Sequence, residues 1–214
     1  MILFWLVLLG SLLILDKYAF GEFGLSQPVI TGTILGMIFG DVKMGILIGG
    51  VFQLIFMGGL PIGRDIPPDG QGASIVAVGS YLLMSRVNAP AQSLLTSVIF
   101  GLLASIIGGQ FEINARRINE KFYHRFLRNE NCLTRCHFFG LLTAFGRGLC
   151  VFIPFFAIAN FIRIPTFVPT LDQQLLISIG ISIGLANGIY LFFRWSSLIY
   201  IILGGLCGLI LLVI

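Results

Sequence analysis

Charge is what this sequence has least of. Only 10% of its 214 residues are Asp, Glu, Lys or Arg, against about 25% in an ordinary soluble domain, and a water-soluble globule does not fit that composition. Cysteine is also scarce. Of four cysteines, Cys150 and Cys207 fall inside apolar runs and Cys132 and Cys136 in a polar stretch, which is no disulfide framework and suggests reduced thiols. The N-terminal MILFWLVLLGSLLIL has no basic residues ahead of it and no small-residue cleavage site after it, so a retained helix is expected rather than a signal peptide. No Ser/His/Asp order, Walker loop or dinucleotide fingerprint is present, and Cys132, Cys136, His137 and His124 lack a zinc spacing. Neither a cofactor nor a metal site is expected, and no chemistry of enzymatic type.

What is abundant is apolar sequence, at 57% of residues and a mean hydropathy of +1.01. Charge-free runs cover 1–15, 23–40, 44–63, 70–85, 87–111, 148–162, 173–193 and 195–214. About 20 residues at 1.5 Å rise cross a bilayer core, so several runs are long enough to span. An all-α, polytopic transmembrane bundle is the expected fold. The formal charge of +4 does not point to nucleic acid, because six of the thirteen basic residues lie between Arg116 and Arg135, beside spans, as cytoplasmic loops do.

The first half is glycine-rich and cut into short pieces. Residues 1–15 and 28–40 are shorter than a full crossing, and 59–72 holds three prolines, several glycines and three charges. Backbone freed by such residues has no partner in hydrocarbon and must be buried in protein or line a wet cavity, so a broken or re-entrant element is expected there. Apolar segments follow at 73–84 and 90–109, and spans are placed at 138–162, 173–193 and 195–214. The segment 111–137 carries Phe111, Ile118, Phe122 and Phe126 at helical spacing among charges of both signs. It reads either as an interfacial amphipathic helix or as a solvated connector. The chain is thus expected to be one membrane domain over 1–214, made of a glycine-rich half (1–110), a basic connector (111–137) and closing helices (138–214).

Two stripes, Gly32, Gly36, Gly40 and Gly180, Gly184, Gly188, place small residues every four positions, a spacing that lets helix backbones approach closely either within the chain or against a partner. Asp41 is expected to cap the helix that follows it.

The stretch LPIGRDIPPDGQG (60–72), with Gln53 before it, concentrates the candidate site. Ionisable groups at membrane depth cost about 2.5–3.5 kcal/mol each on insertion scales, so Arg64, Asp65 and Asp69 need partners or water. Arg64 can pair with Asp65 or with Asp69. A carboxylate accepts from two hydroxyls, and the amides of Gln53 and Gln71 both donate and accept, a set suited to a neutral polyol. The competing reading is a charged turn anchored at the membrane surface.

The run SQPVITGTILGMIFGDVKMGILIGG, followed by FQLIFMGGLPIG and PPDGQGAS, resembles the membrane IIC subunit of mannose-type phosphotransferase sugar permeases. The likeness covers roughly residues 10–85 through Gln27-Pro28, the Gly40-Asp41-x-Lys43-x-Gly45 turn, Gly49-Gly50 and Pro68-Asp69. The second half matches in plan, with Arg147 ahead of a Phe-Ile-Pro step at 152–154. Gln53 stands where family members usually carry Glu, and Arg64 and Asp65 where they carry small residues. The chain is also shorter than a typical full member.

The resemblance implies a sugar pathway in a bacterial cytoplasmic membrane, shared with a IID membrane subunit and assembled as a trimer of IIC and IID pairs. A cytoplasmic IIAB protein would donate the phosphoryl group. Asp69, Gln53 and Gln71 would then meet sugar hydroxyls, and Arg64 with Asp65 would form a pairing or gating element. The alternatives are a non-transporting scaffold of the same fold and an ion-coupled transporter or channel using Asp69 and Arg64.

Overall fold

A computed structural model describes residues 2–18, 21, 23–59, 68–126, 133–192, 198–200 and 202–204. Helices α1 (Ile2–Leu13), α2 (Leu15–Tyr18), α3 (Pro28–Phe39), α4 (Val42–Phe56), α5 (Gly70–Met84), α6 (Pro90–Phe126), α7 (Leu133–Phe161) and α8 (Gln173–Phe192) follow one another along the chain. The expected helical membrane bundle is what forms, and the described residues contain no strand. Three of these helices are long and apolar enough to cross a membrane: Pro90–His124, Thr134–Phe161 and Gln173–Leu191. The expected closing span at 195–214 lies largely outside the described residues.

Helices α3 and α4 have 12 and 15 residues, a rise of only about 18 and 22 Å, short of the roughly 30 Å of hydrocarbon. They form a tight helical hairpin, and the broken or re-entrant element expected at 59–72 lies largely outside the described residues. Pro28 opens α3 at a position where its missing N–H costs nothing. Gly40 ends it in the left-handed region at φ 97°, its N–H donating to the Gly36 carbonyl. Asp41 caps α4 as expected, its side chain accepting from the Met44 N–H at 3.1 Å.

Lipid removes the usual gain from burying apolar surface, so helices associate through close packing. The hairpin does this backbone to backbone. A Cβ on Gly36 would lie 2.7 Å from the Asp41 carbonyl oxygen, and one on Gly45 would collide with the carbonyl of Gly32. Gly180 and Gly184 of α8 similarly seat Val51 and Leu54 of α4, whereas Gly188 faces open space. Both glycine stripes therefore serve packing within the chain, apart from Gly40 and Gly188.

Helix α5 sits at the centre, packed against α1, α3, α4, α6 and α7. Every residue from Gly72 to Met84 is buried. Phe52, Phe152 and Phe156, all fully buried, fill around it: Phe156 lies over Gly79, and Phe52 lies against Gly101 of α6 beside Ala77. Asn88 then pins the α5–α6 turn to the end of α7, donating to the Ile162 carbonyl and accepting from the Ile164 N–H.

Helix α6 runs through the expected boundary at 110 without a break, so the span and the basic segment up to Phe126 are one helix. Phe122 on this extension packs on Phe139 of α7, ring centroids 4.0 Å apart.

The hairpin contacts yield a prediction. Gly45→Leu must push a side chain into backbone that cannot give way, and should destabilise the bundle by about 3 kcal/mol or more. Gly188→Leu should leave it intact. Size-exclusion profiles and thermal unfolding of the two variants in detergent distinguish these outcomes.

Candidate functional site

The site begins at the N-terminus of α5. Pro68-Asp69-Gly70 stops the preceding chain and supplies a capping carboxylate, a residue type favoured there because its oxygen satisfies an orphan helix N–H. The Oδ1 of Asp69 accepts from the Gly72 N–H at 3.1 Å, and the Asp69 N–H donates to the Ser105 carbonyl of α6 at 3.0 Å. Gly108 of α6 allows this approach, since a Cβ there would sit 2.9 Å from Oδ2. The carboxylate is thereby fixed at the positive end of a helix, with its residue only 1% exposed.

Four further charges converge on it. Arg147 of α7 forks between two carboxylates, Nη2 lying 3.3 Å from Asp69 Oδ2 and Nη1 3.2 Å from Glu112 Oε2. Lys17 of α2 places Nζ 3.6 Å from Glu112 Oε2 and 4.0 Å from Asp69 Oδ1. Arg116, one turn along α6, donates to Glu112 Oε1 at 2.6 Å. The side chains of Asp69, Glu112 and Arg147 are nearly fully buried, Lys17 is a quarter exposed and Arg116 is 58% exposed, so the cluster grades from dry to wet. The planar guanidinium of Arg147 suits this bridging role as an ammonium would not.

Among the described residues, the ion-pair partners of Asp69 are thus Arg147 and Lys17. Arg64 and Asp65 lie outside the described residues. Sequence reasoning singled out Asp69 but gave no site role to Lys17, Glu112 or Arg147. The signal was present: each interrupts or borders an apolar run, and isolated charges of opposite sign in such runs require one another.

Gln53 and Gln71 are placed differently. Gln53 lies on α4 one turn before Phe56, and Phe56 packs on Gly70, the residue before Gln71. The Oε1 atoms of both glutamines are buried with no hydrogen-bond partner among the described residues. Leaving a buried acceptor unmatched costs about 1–3 kcal/mol, so two of them beside one helix start form a local demand for donors. Asn187 of α8, also missed, holds the end of α4 by donating to the carbonyls of Leu54 and Ile55 at 3.0 Å each.

The cluster makes its members unequal. Arg147→Met would remove the buried cation shared by two buried carboxylates, leaving them to the more exposed Lys17 and Arg116, and should destabilise the protein by about 3 kcal/mol. Arg116→Gln, at the wet end, should cost under about 1 kcal/mol. Denaturation of the two purified variants against the parent measures both.

Comparison with known proteins agrees with this architecture. The family model described as "PTS system sorbose-specific iic component" matches residues 1–211. The mannose-specific EIIC component of Escherichia coli K12 is 34% identical over 103 residues, covering 48% of this chain and 36% of that protein. The sorbose-specific EIIC component of Lacticaseibacillus casei is 29% identical over 167 residues, covering 76% of this chain and 55% of that protein. These matches span about a third to a half of the relatives' length. A solved membrane protein structure shares the fold at TM-score 0.72 and 21% identity, covering 97% of this chain and 85% of that one. The cryo-EM structure of the mannose transporter ManYZ in complex with microcin E492 does so at 0.57 and 22%, covering 97% and 84%. With its sequence matched almost end to end, the chain belongs to the family of phosphotransferase-system sorbose-specific IIC components, which are membrane permease subunits.

Proposed function

We propose that this chain binds a hexose or amino sugar in a bacterial cytoplasmic membrane and passes it inward for phosphorylation, as the IIC subunit of a phosphotransferase complex. The observation that carries the reading is the pair of buried amide oxygens of Gln53 and Gln71, unmatched among the described residues, with Gln71 in the first helical turn that Asp69 caps. Sugar hydroxyls are the donors those oxygens lack, and the amide nitrogens supply donors in return. Asp69 contributes by holding the first turn of α5, and with it Gln71, in register; as a carboxylate it can also accept from a hydroxyl. Arg64 and Asp65 complete the proposed site as a pairing or gating element on the segment that precedes it.

The complex proposed around the chain has a IID membrane subunit, consistent with the likeness to a ManYZ transporter structure. It also has a cytoplasmic IIAB phosphocarrier, the membrane pairs assembling as a trimer. Phosphorylation adds nearly two negative charges to the sugar, and a product so charged does not recross hydrocarbon. The phosphoryl donor sits on the partner, so no residue of this chain needs to carry the group.

Membrane vesicles containing the chain with IID and IIAB partners should take up a hexose or amino sugar only when phosphoenolpyruvate is supplied. Gln53→Ala and Gln71→Ala should each raise the apparent KM about tenfold, the worth of a hydroxyl contact whose partner is left unmatched. Asp69→Asn should abolish uptake. Absence of phosphoenolpyruvate-dependent uptake for every hexose and amino sugar tried would overturn the proposal.

A further inference from the structure

Helices α6 and α7 part beyond the ion cluster to leave a cleft of about 170 Å³. Its polar lining comes from Glu112, Arg116 and Asn119 on α6 and from His137, Thr143 and Arg147 on α7. Neither the proposed sugar contacts nor the fold uses this space. It exists because the facing positions are small: Ala115, Gly140 and Ala144 line it, and a Cβ added at Gly140 would meet nothing within 4 Å.

The lining is rich in donors. Arg116 stands at the wet end with its side chain 58% exposed and gives one N–H to Glu112, while the other edges of its five-donor fork remain for a ligand. The Thr143 hydroxyl lies 2.9 Å from the Gly140 carbonyl and 3.0 Å from the Asn119 side-chain amide, a contact that holds that amide, with its donor and acceptor atoms, on the cleft wall. His137 adds an exposed imidazole on the opposite wall, and buried Arg147 adds a fixed positive charge at the floor. The single carboxylate, Glu112, already lies among three cations. A neutral polyol needs acceptors as well as donors, whereas a compact oxyanion needs donors and positive charge alone. An arginine fork is matched to phosphate oxygens.

We propose that the α6–α7 cleft binds a phosphate group, with Arg116 as its principal contact and Asn119 and His137 on the rim. The group comes either from a soluble phosphate monoester or from an anionic lipid headgroup. Because Arg116 also holds Glu112, an occupied cleft draws on the same guanidinium that completes the cluster around Asp69. The proposal does not rest on the transport reading, since it concerns binding to this chain alone.

The test uses the full chain in nanodiscs of phosphatidylcholine, titrated calorimetrically with glucose 6-phosphate, and native mass spectrometry of the chain taken from membranes containing phosphatidylglycerol. At least one probe should bind saturably to the parent and equally to Arg163→Gln, which removes an exposed cation elsewhere. Arg116→Gln should weaken binding at least tenfold, and Gly140→Leu, whose Cβ meets no neighbour within 4 Å and whose longer side chain takes up cleft space, should abolish it. Each variant must match the parent in size-exclusion profile, and Arg116→Lys, which keeps the charge, should recover part of the affinity. Binding of glucose 6-phosphate identifies the soluble source, and retained phosphatidylglycerol the lipid one. The proposal is overturned if neither probe binds, if Arg116→Gln and Gly140→Leu bind as the parent does, or if unphosphorylated glucose shows the same dependence on both residues.

Discussion

Asp69 and Glu112 are carboxylates held in a part of the bundle that water scarcely reaches, and the helices around them are arranged so that cations meet both. At an effective dielectric constant of about 20, a pair of unit charges 4 Å apart is worth about 4 kcal/mol, enough to offset much of the cost of leaving water. The fork of Arg147 draws α7 against the start of α5 and the middle of α6. Lys17 brings in the short helix after α1. Four segments distant in sequence are thereby located relative to one carboxylate, and Gln71 takes its position from the helix that this carboxylate caps.

The same bundle uses a second kind of contact where charge is absent. The α3–α4 hairpin and the α4–α8 seam are held by small residues that bring backbone against backbone or against a branched side chain. Such contacts are short in range and hard in repulsion, so they set separation sharply. Ion pairs tolerate some change of distance. The glycine-packed hairpin and the charged centre therefore differ in stiffness, the first as a rigid unit and the second as a junction able to shift its partners.

Features decided by neighbours in sequence were legible. The apolar runs marked the helices, Gly40-Asp41 marked a turn with its cap, and Asp69 ahead of Gly70 marked the start of α5. Features decided across the fold were not. Glu112 and Arg147 are 35 residues apart, and Lys17 is farther still from either, so no local pattern pairs them. The boundary drawn at residue 110 followed the change from apolar to charged residues. Helix continuity follows backbone hydrogen bonding instead, and neither Gly108 nor Gly109 interrupts it when neighbouring helices enclose that turn. The amphipathic spacing of Phe122 was visible, but only the fold shows that its ring meets Phe139. Gln53 and Gln71 were legible as polar residues near a charged stretch, while the burial of their oxygens, unmatched among the described residues, depends on the packing around α4 and α5.

Helix α5 is enclosed on all sides by helices from both halves of the chain, two of which, α6 and α7, are synthesised after it. Its 15 residues are too few to span alone, and they include Ser74 and Ser80, both fully buried in the finished bundle. When α5 leaves the ribosome, the walls that will surround it do not yet exist. The enclosure of α5 is thus a property of the whole chain: a chain that stopped before Leu133 would hold the same α5 sequence with the α7 wall missing.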